Sequence, residues 1–332
     1  FATTAHTAFL RFFLSFIISL HSGDSITLVK MDTLLLGSVF IMKGVNTMPS
    51  TYAHKSFGRE VFAVLPDELQ TILCNHLDLY YVGLHGPDIL FYYHPFFPNP
   101  VNRQGYQLHG KNARTFFRKG LAALRDMSDP EAGLAYMFGF ICHFALDSEC
   151  HGYIEYKIRH SDLTHTELET EFDRMLLEEH ELDPIRYCLT SHILPQTVDC
   201  TIIARFFPRV KPKQVEWALK SMIYYNRLLQ AAIPARRKLL LLILRITGNY
   251  KQMHGLLMPD QPRTGCADSN QELQRRMQGA VPVACQLIEN FYNAYMEMDV
   301  LSQRFQRTFG PDRSELSRYE FGFQTETASS KV

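Results

Sequence analysis

Beyond Met48 the apolar positions recur at helical spacing, and no sustained alternation of the kind a half-buried strand needs occurs. The stretch SDPEAGLAYMFGFICHFALDS predicts a buried helix, with Asp129 at the N-cap, Pro130 at the first helical position and an end near Asp147. In LTHTELETEFDRMLLEEH, Thr164 and Glu167 form a capping box, so a helix starts at about His165. Upstream, FGREVFAVLPDELQTILCNHLDLYYVGLHGPDILFYY reads as short helices around Pro66, a breaker-rich turn over 83–88 that aims Asp88 into a cleft, and an aromatic patch. VNRQGYQLHGKNARTFFRKGLAALRD runs from a loop into an amphipathic helix, with His109 just before that helix. After Pro208 two or three more helices are expected, around 212–230, 235–247 and 283–309. The last carries Ile288, Phe291, Tyr295, Met298, Phe305 and Phe309 on one stripe and stops at Gly310-Pro311.

This pattern predicts an all-α protein: a single multi-helix domain over 48–312, with the chemistry in 48–180 and a helical scaffold in 181–312. Two apolar stretches are assigned to packing. Phe91, Tyr92, Tyr93, Phe96 and Phe97 are expected to pack beneath a loop rather than touch lipid, and RRKLLLLILR (236–245) to be buried in the core rather than to rest on an anionic bilayer.

The ends of the chain differ from this. Residues 1–47 contain the apolar run AFLRFFLSFIISLHSGD, too short to span a bilayer, and Lys43-Gly44-Val45 can be encoded by a purine tract like a bacterial ribosome-binding site. Met48 is taken as the start, which makes 1–47 poorly ordered upstream translation and the protein cytoplasmic. The alternative is a true leader at residues 8–20 and a secreted or membrane-anchored protein. Residues 313–332 read as a polar tail.

Thirty-four basic residues balance thirty-four acidic ones, so no global field favours nucleic acid. Seven cysteines without a CxxC pair argue against a disulfide framework and against a thiolate zinc site. The histidines are unevenly placed: nine of the fourteen lie between His54 and His165. In CHFALDSECHGYIEYKIRHSDLTHTELETEFD, His143 and Asp147 share a helix face, as do His165 and Glu169, and His151 lies between the two pairs. A buried carboxylate needs a compensating cation, and no Lys or Arg lies between Asp126 and Tyr156. With His54, Asp88 and His109 the candidate set reaches five histidines and three carboxylates, donors that suit zinc, manganese or iron in a cleft between helices, with Asp147 as the natural bridge. His160 falls outside the pattern and is read as a loop histidine.

HKSFG, GLHGPDILFYY, YQLHG, GFICHFALDSECHGYIEY and HTELETEFD, in this order, resemble bacterial zinc-dependent phospholipase C, a fold shared with zinc nucleases that cut single strands. The resemblance implies two or three zinc ions. Asp88, His109, His143 and Asp147 would hold one, and His151, His165 and Glu169 a second. His54 and Asp147 would hold a third, completed in secreted members by the mature N-terminal residue. It further implies a phosphodiester hydrolase in which metal-activated water attacks a phospholipid or similar substrate, with Asp88 orienting that water or taking its proton. Tyr106, Phe91 and Tyr92 are candidate substrate contacts, and Ile89 replaces an aromatic that follows the aspartate in the family. Peripheral membrane contact fits this reading, and no protein partner is indicated. Alternatives are a single-strand nuclease or nucleotidase, which would need a basic groove with stacking aromatics, and a non-catalytic metal- or lipid-binding protein, which would have lost a ligand.

Overall fold

The computed structural model describes residues 50–311 apart from Phe96, Met298 and the side chain of Gln252. The expectations for residues 1–47, for a start at Met48 and for the tail from 313 lie outside the described residues. Those residues form an all-α fold with no strand.

The chain opens with α1 (Thr51–Val64), α2 (Asp67–Asn75) and α3 (Leu77–Gly83), then a 3-10 turn (Gly86–Tyr92). Pro66 separates α1 from α2, because the residue before a proline is pushed out of helical conformation; Leu65 is extended. Next come α4 (Pro100–His109), α5 (Ala113–Arg125), α6 (Pro130–Arg159) and α7 (His165–Glu179). The second half contains α8 (Cys200–Phe206), α9 (Pro212–Gln230), α10 (Pro234–Ile246), α11 (Tyr250–Met253), a 3-10 turn (His254–Leu256), α12 (Ala267–Met296) and a last 3-10 turn (Gln303–Gln306).

The expected starts of α6 and α7 are present. The Asp129 side chain accepts from the Ala132 amide, and the Thr164/Glu167 capping box forms in both directions. Three expectations need correction. The buried helix does not end near Asp147: α6 continues to Arg159, because Gly152 alone does not break a helix that is otherwise fully packed. His109 does not follow a loop but is the last residue of α4, whose start is the Asn99/Asn102 capping box with Pro100 in its first turn. The 283–309 helix starts at Ala267 and ends at Met296; Ile288, Phe291 and Tyr295 lie on α12, while Phe305 and Phe309 enter the core from a separate strap. Periodicity cannot distinguish one long helix from a helix whose returning chain keeps the same spacing.

α6 is the axis of the molecule. From Ala132 to Cys150 every residue except Glu149 is buried, with α3, α5 and α12 packed around it. Its closest crossing is with α3. A Cβ on Gly139 would meet the Tyr80 carbonyl oxygen at 2.2 Å, and one on Gly83 would meet the Tyr136 carbonyl oxygen at 2.2 Å, so two glycines let the backbones touch. The turn after α3 then doubles back through Gly86 at φ +49°, where a side chain would also strike the His143 ring.

The aromatic patch follows the packing expectation for Phe91 and Tyr92, which are buried, whereas Phe97 is exposed and Phe96 lies outside the described residues. RRKLLLLILR departs from expectation. It forms most of α10, of which only Leu244 is fully buried, while Leu242 and Ile246 are exposed. Only a few apolar partners lie beneath the helix, so it covers a small satellite cluster instead of joining the main core. Among the described residues no helix is long and apolar enough to cross a membrane.

Candidate metal centre

On α6, His143, Asp147 and His151 stand four residues apart on one face. The first turn of α1 brings His54, the 3-10 turn Asp88, the end of α4 His109, and the first two turns of α7 His165 and Glu169. Donor atoms within 4.8 Å of one another form three groups: His54, His143 and Asp147; Asp88, His109 and His143; His151, His165 and Glu169. All eight sequence candidates are thus drawn together, although they come from five separate elements.

Asp147 lies among the groups. Its Oδ1 is 3.3 Å from His54 Nε2, and its Oδ2 is 3.1 Å from His143 Nε2, 3.8 Å from His151 Nδ1 and 3.9 Å from His109 Nε2. Asp88 presents Oδ1 to His109 Nε2 at 2.8 Å and Oδ2 to His143 Nε2 at 3.6 Å. Glu169 Oε1 is 3.0 Å from His165 Nε2 and 3.7 Å from His151 Nε2.

The backbone sets which ring nitrogen faces the cluster. His143 Nδ1 is 3.2 Å from the Leu84 carbonyl oxygen, His109 Nδ1 is 3.0 Å from that of Gly105, and His151 Nδ1 is 2.6 Å from that of Phe309. A carbonyl only accepts, so each Nδ1 carries the proton and, in the neutral ring, each Nε2 keeps a lone pair directed at the carboxylates. Lone pairs facing carboxylate oxygens cannot hydrogen-bond to them. Accordingly Asp88 Oδ1, His143 Nε2, His165 Nε2 and Glu169 Oε2 are buried without a hydrogen bond. Buried acceptors facing one another are costly unless a cation joins them, and imidazole with carboxylate at this density fits zinc.

Without such an ion the charges settle on protons instead. Burial pulls the His54, His109 and His151 pKa values down, but the carboxylates beside them overcome it: Asp147 raises His54, Asp88 raises His109, and Asp147 with Glu169 raises His151 to about 10. Burial likewise opposes ionisation of the acids. His143 and His151 nevertheless hold Asp147 well below the usual carboxylate range, and His165 with His151 brings Glu169 down to about 2.

Several supporting groups were not anticipated from sequence. Asp173 receives the Ser50 hydroxyl and the Tyr52 and Ala53 amides (2.9 and 2.8 Å), anchoring the start of α1, and burial pushes its carboxyl up to about 6. It stands one turn beyond Glu169, a spacing that could have found it. The Phe309 carbonyl carries no side-chain signal, and the strap that delivers it is held by Arg304 and Arg307 on Glu149 of α6. His85 and His192, 2.7 Å apart through their Nε2 atoms, form a second buried pair; burial lowers both pKa values, that of His192 to about 3. His160 caps α6 just past Arg159, its ring stacked on Tyr156 at 4.3 Å.

Of the candidate substrate contacts, Phe91 and Tyr92 are packed inside the fold, Tyr92 also lining a cavity. Phe91 is buried and stacks on Tyr106 at 4.3 Å, and Tyr92 is buried with its hydroxyl accepting from Asn226. Tyr106, half-buried above Phe91, keeps an accessible edge. The N-terminal group expected for the third ion lies outside the described residues. A cavity lined by Ser50, His54, Asp147, His151 and Glu169 adjoins, at Ser50, a second one lined by Tyr92, Asp173, Asn226, Leu229, Leu256 and Met258.

Compared with known proteins, residues 53–233 match the family model for zinc-dependent phospholipase C, a span that covers more than half of the chain and includes all eight clustered residues. No curated protein and no solved structure gave a match.

Proposed function

The chain belongs to the zinc-dependent phospholipase C family, and on that premise we propose that it hydrolyses phosphodiesters, with a phospholipid as substrate. The observation that carries this is the placement of Asp147 within 4 Å of four imidazoles, with His143 Nε2 and Asp88 Oδ1 beside it buried and without hydrogen bonds.

Zinc, when bound by these residues, would supply positive charge for the phosphate oxygens and lower the pKa of water toward neutrality. Asp88, His109, His143 and Asp147 would hold one ion, His151, His165 and Glu169 another, and His54 with Asp147 would contribute to a third. The carbonyls of Leu84, Gly105 and Phe309 keep the three rings in one tautomer, so their Nε2 lone pairs stay aimed. Asp88, on a turn pinned between Gly86 and His143, would orient the attacking water and take its proton as the bond from phosphorus to the leaving oxygen breaks, the departing alkoxide taking a proton from solvent. Tyr106 stays protonated, its hydroxyl pushed up to about 12 by burial, and is a hydrogen-bond donor for a head group at the edge of the site.

The test is hydrolysis of phosphatidylcholine, bis-p-nitrophenyl phosphate and single-stranded DNA by the zinc-loaded protein and by Asp147→Asn. Phosphatidylcholine and bis-p-nitrophenyl phosphate should both be cleaved, with kcat/KM at least ~100-fold lower in the variant, because the carboxamide halves the donor capacity at the shared position. Cleavage of DNA alone would replace the lipid reading with the nuclease one. A zinc-loaded protein inactive on all three would end the enzymatic reading.

A further inference from the structure

Between Trp217 and Pro259 the chain has seven basic residues, Lys220, Arg227, Arg236, Arg237, Lys238, Arg245 and Lys251, and no acidic one, although the whole chain is balanced in charge. α10 lies in the middle of this segment and just past the end of the family match at residue 233. Its inward side, Leu240, Leu241 and Leu244, packs on Leu229, Ala231 and Leu257. The outward side is apolar as well. Ala235, Leu239, Leu242 and Ile246 follow one another at steps of four, three and four and so form one stripe. Leu242 is 52% exposed, Ile246 53%, and Ile233 at the helix start 44%. Lys238 and Arg245, both exposed, border that stripe on the same side of the helix.

The helix is also placed beside the site. Leu229, beneath it, lines the cavity with Met258 and Leu256, and that cavity meets the metal cavity at Ser50. The chain returning from α10 seats His254 on Glu167, 2.9 Å between Nε2 and Oε1, on the same helix that carries His165 and Glu169. A surface bound to α10 would therefore lie along the rim of the cleft.

We propose that α10 is an interfacial anchor that lays Leu242 and Ile246 into the surface of an anionic phospholipid bilayer, with Lys238 and Arg245 on the lipid phosphates. An exposed aliphatic stripe with basic borders and no acidic neighbour in sequence is the combination that favours an anionic bilayer surface, where apolar burial and charge attraction add. The helix is 13 residues long and lies on the interface rather than crossing it. The physiological purpose of this contact, delivery of phospholipid to the cleft, rests on the function proposed above; the binding itself does not.

The test uses the zinc-loaded full chain in the cold, sedimented before lipid is consumed, with sucrose-loaded vesicles of phosphatidylcholine alone or with 30% phosphatidylserine as the probe, a fraction of about a third being chosen to give a strong surface potential. Wild type should bind the anionic vesicles, and added salt should weaken the binding. The triple variant Lys238→Gln, Leu242→Gln, Ile246→Gln should bind at least ~10-fold more weakly. The zinc-loaded variant should hydrolyse soluble bis-p-nitrophenyl phosphate as wild type does, which separates a failed anchor from a failed site. The anchor is overturned if wild type ignores anionic vesicles, or if the variant binds them equally well. It is equally overturned if sedimentation velocity shows a wild-type dimer that the variant converts to monomer without vesicle binding, since a second copy would then cover the stripe.

Discussion

At the scale of single residues, the cluster is a competition between protons and metal for the same nitrogen lone pairs. His151 without metal is raised to about 10, against about 6.5 for a free imidazole, so the folded state holds its proton where the unfolded chain has released it. More protons bound in the folded state means that stability is present below pH 6.5 and is lost as pH rises through about 10. Zinc takes the same lone pair, so its binding at pH 7 must expel that proton, and His54 and His109, raised in the same direction, add to the release. Asp147 and Glu169, already ionised, contribute none. Calorimetric zinc titrations in two buffers of different ionisation enthalpy should therefore give a release of at least about one proton per chain at pH 7. His151→Ala should reduce that release and remove the alkaline fall in stability of the metal-free protein. Titrations that yield no buffer dependence would mean that these rings are not the ligands.

At the scale of elements, the site depends on how closely helices approach one another. Asp88 reaches His143 because α3 and α6 meet at Gly83 and Gly139, with no room for a Cβ on either side. Gly139→Val should cost about 1–3 kcal/mol in chemical denaturation by overpacking and, by moving the turn that carries Asp88, should weaken zinc binding as well. Unchanged zinc affinity with reduced stability would detach that crossing from the site. The same scale explains what was legible in the sequence. The starts of α6 and α7 could be read because Asp129-Pro130 and Thr164-x-x-Glu167 are local signals, and His143, Asp147, His151, His165 and Glu169 because their spacing follows helical turns; His54, Asp88 and His109, on three other elements, were legible only through the motifs that carry the family resemblance. The start of α4 was marked by Asn99-Pro100 but masked by a mostly polar helix with few periodic positions. The Phe309 carbonyl, the Arg304 and Arg307 strap and the His85–His192 pair join residues more than a hundred positions apart through the fold, and no local pattern records them.

At the scale of the molecule, the half read as scaffold reaches the candidate metal groups. Phe309 orients His151, and Asn226 joins Thr51 to Tyr92 beside the cavity that adjoins the metal groups. α10 lies outside the matched family span and packs on a small apolar cluster apart from the main core. What unites the molecule is Asp147, buried within an apolar helix and set among two imidazoles of its own helix face, His143 and His151, and two from other elements, His54 and His109. Metal content per folded chain, measured by mass spectrometry after exhaustive dialysis of wild type and Asp147→Asn, tests that centre most directly. Wild type should retain zinc at two or three ions, and the variant should keep about one, held by His151, His165 and Glu169, while the others are lost. A folded wild-type protein free of zinc, or a variant with the full complement, would contradict the account.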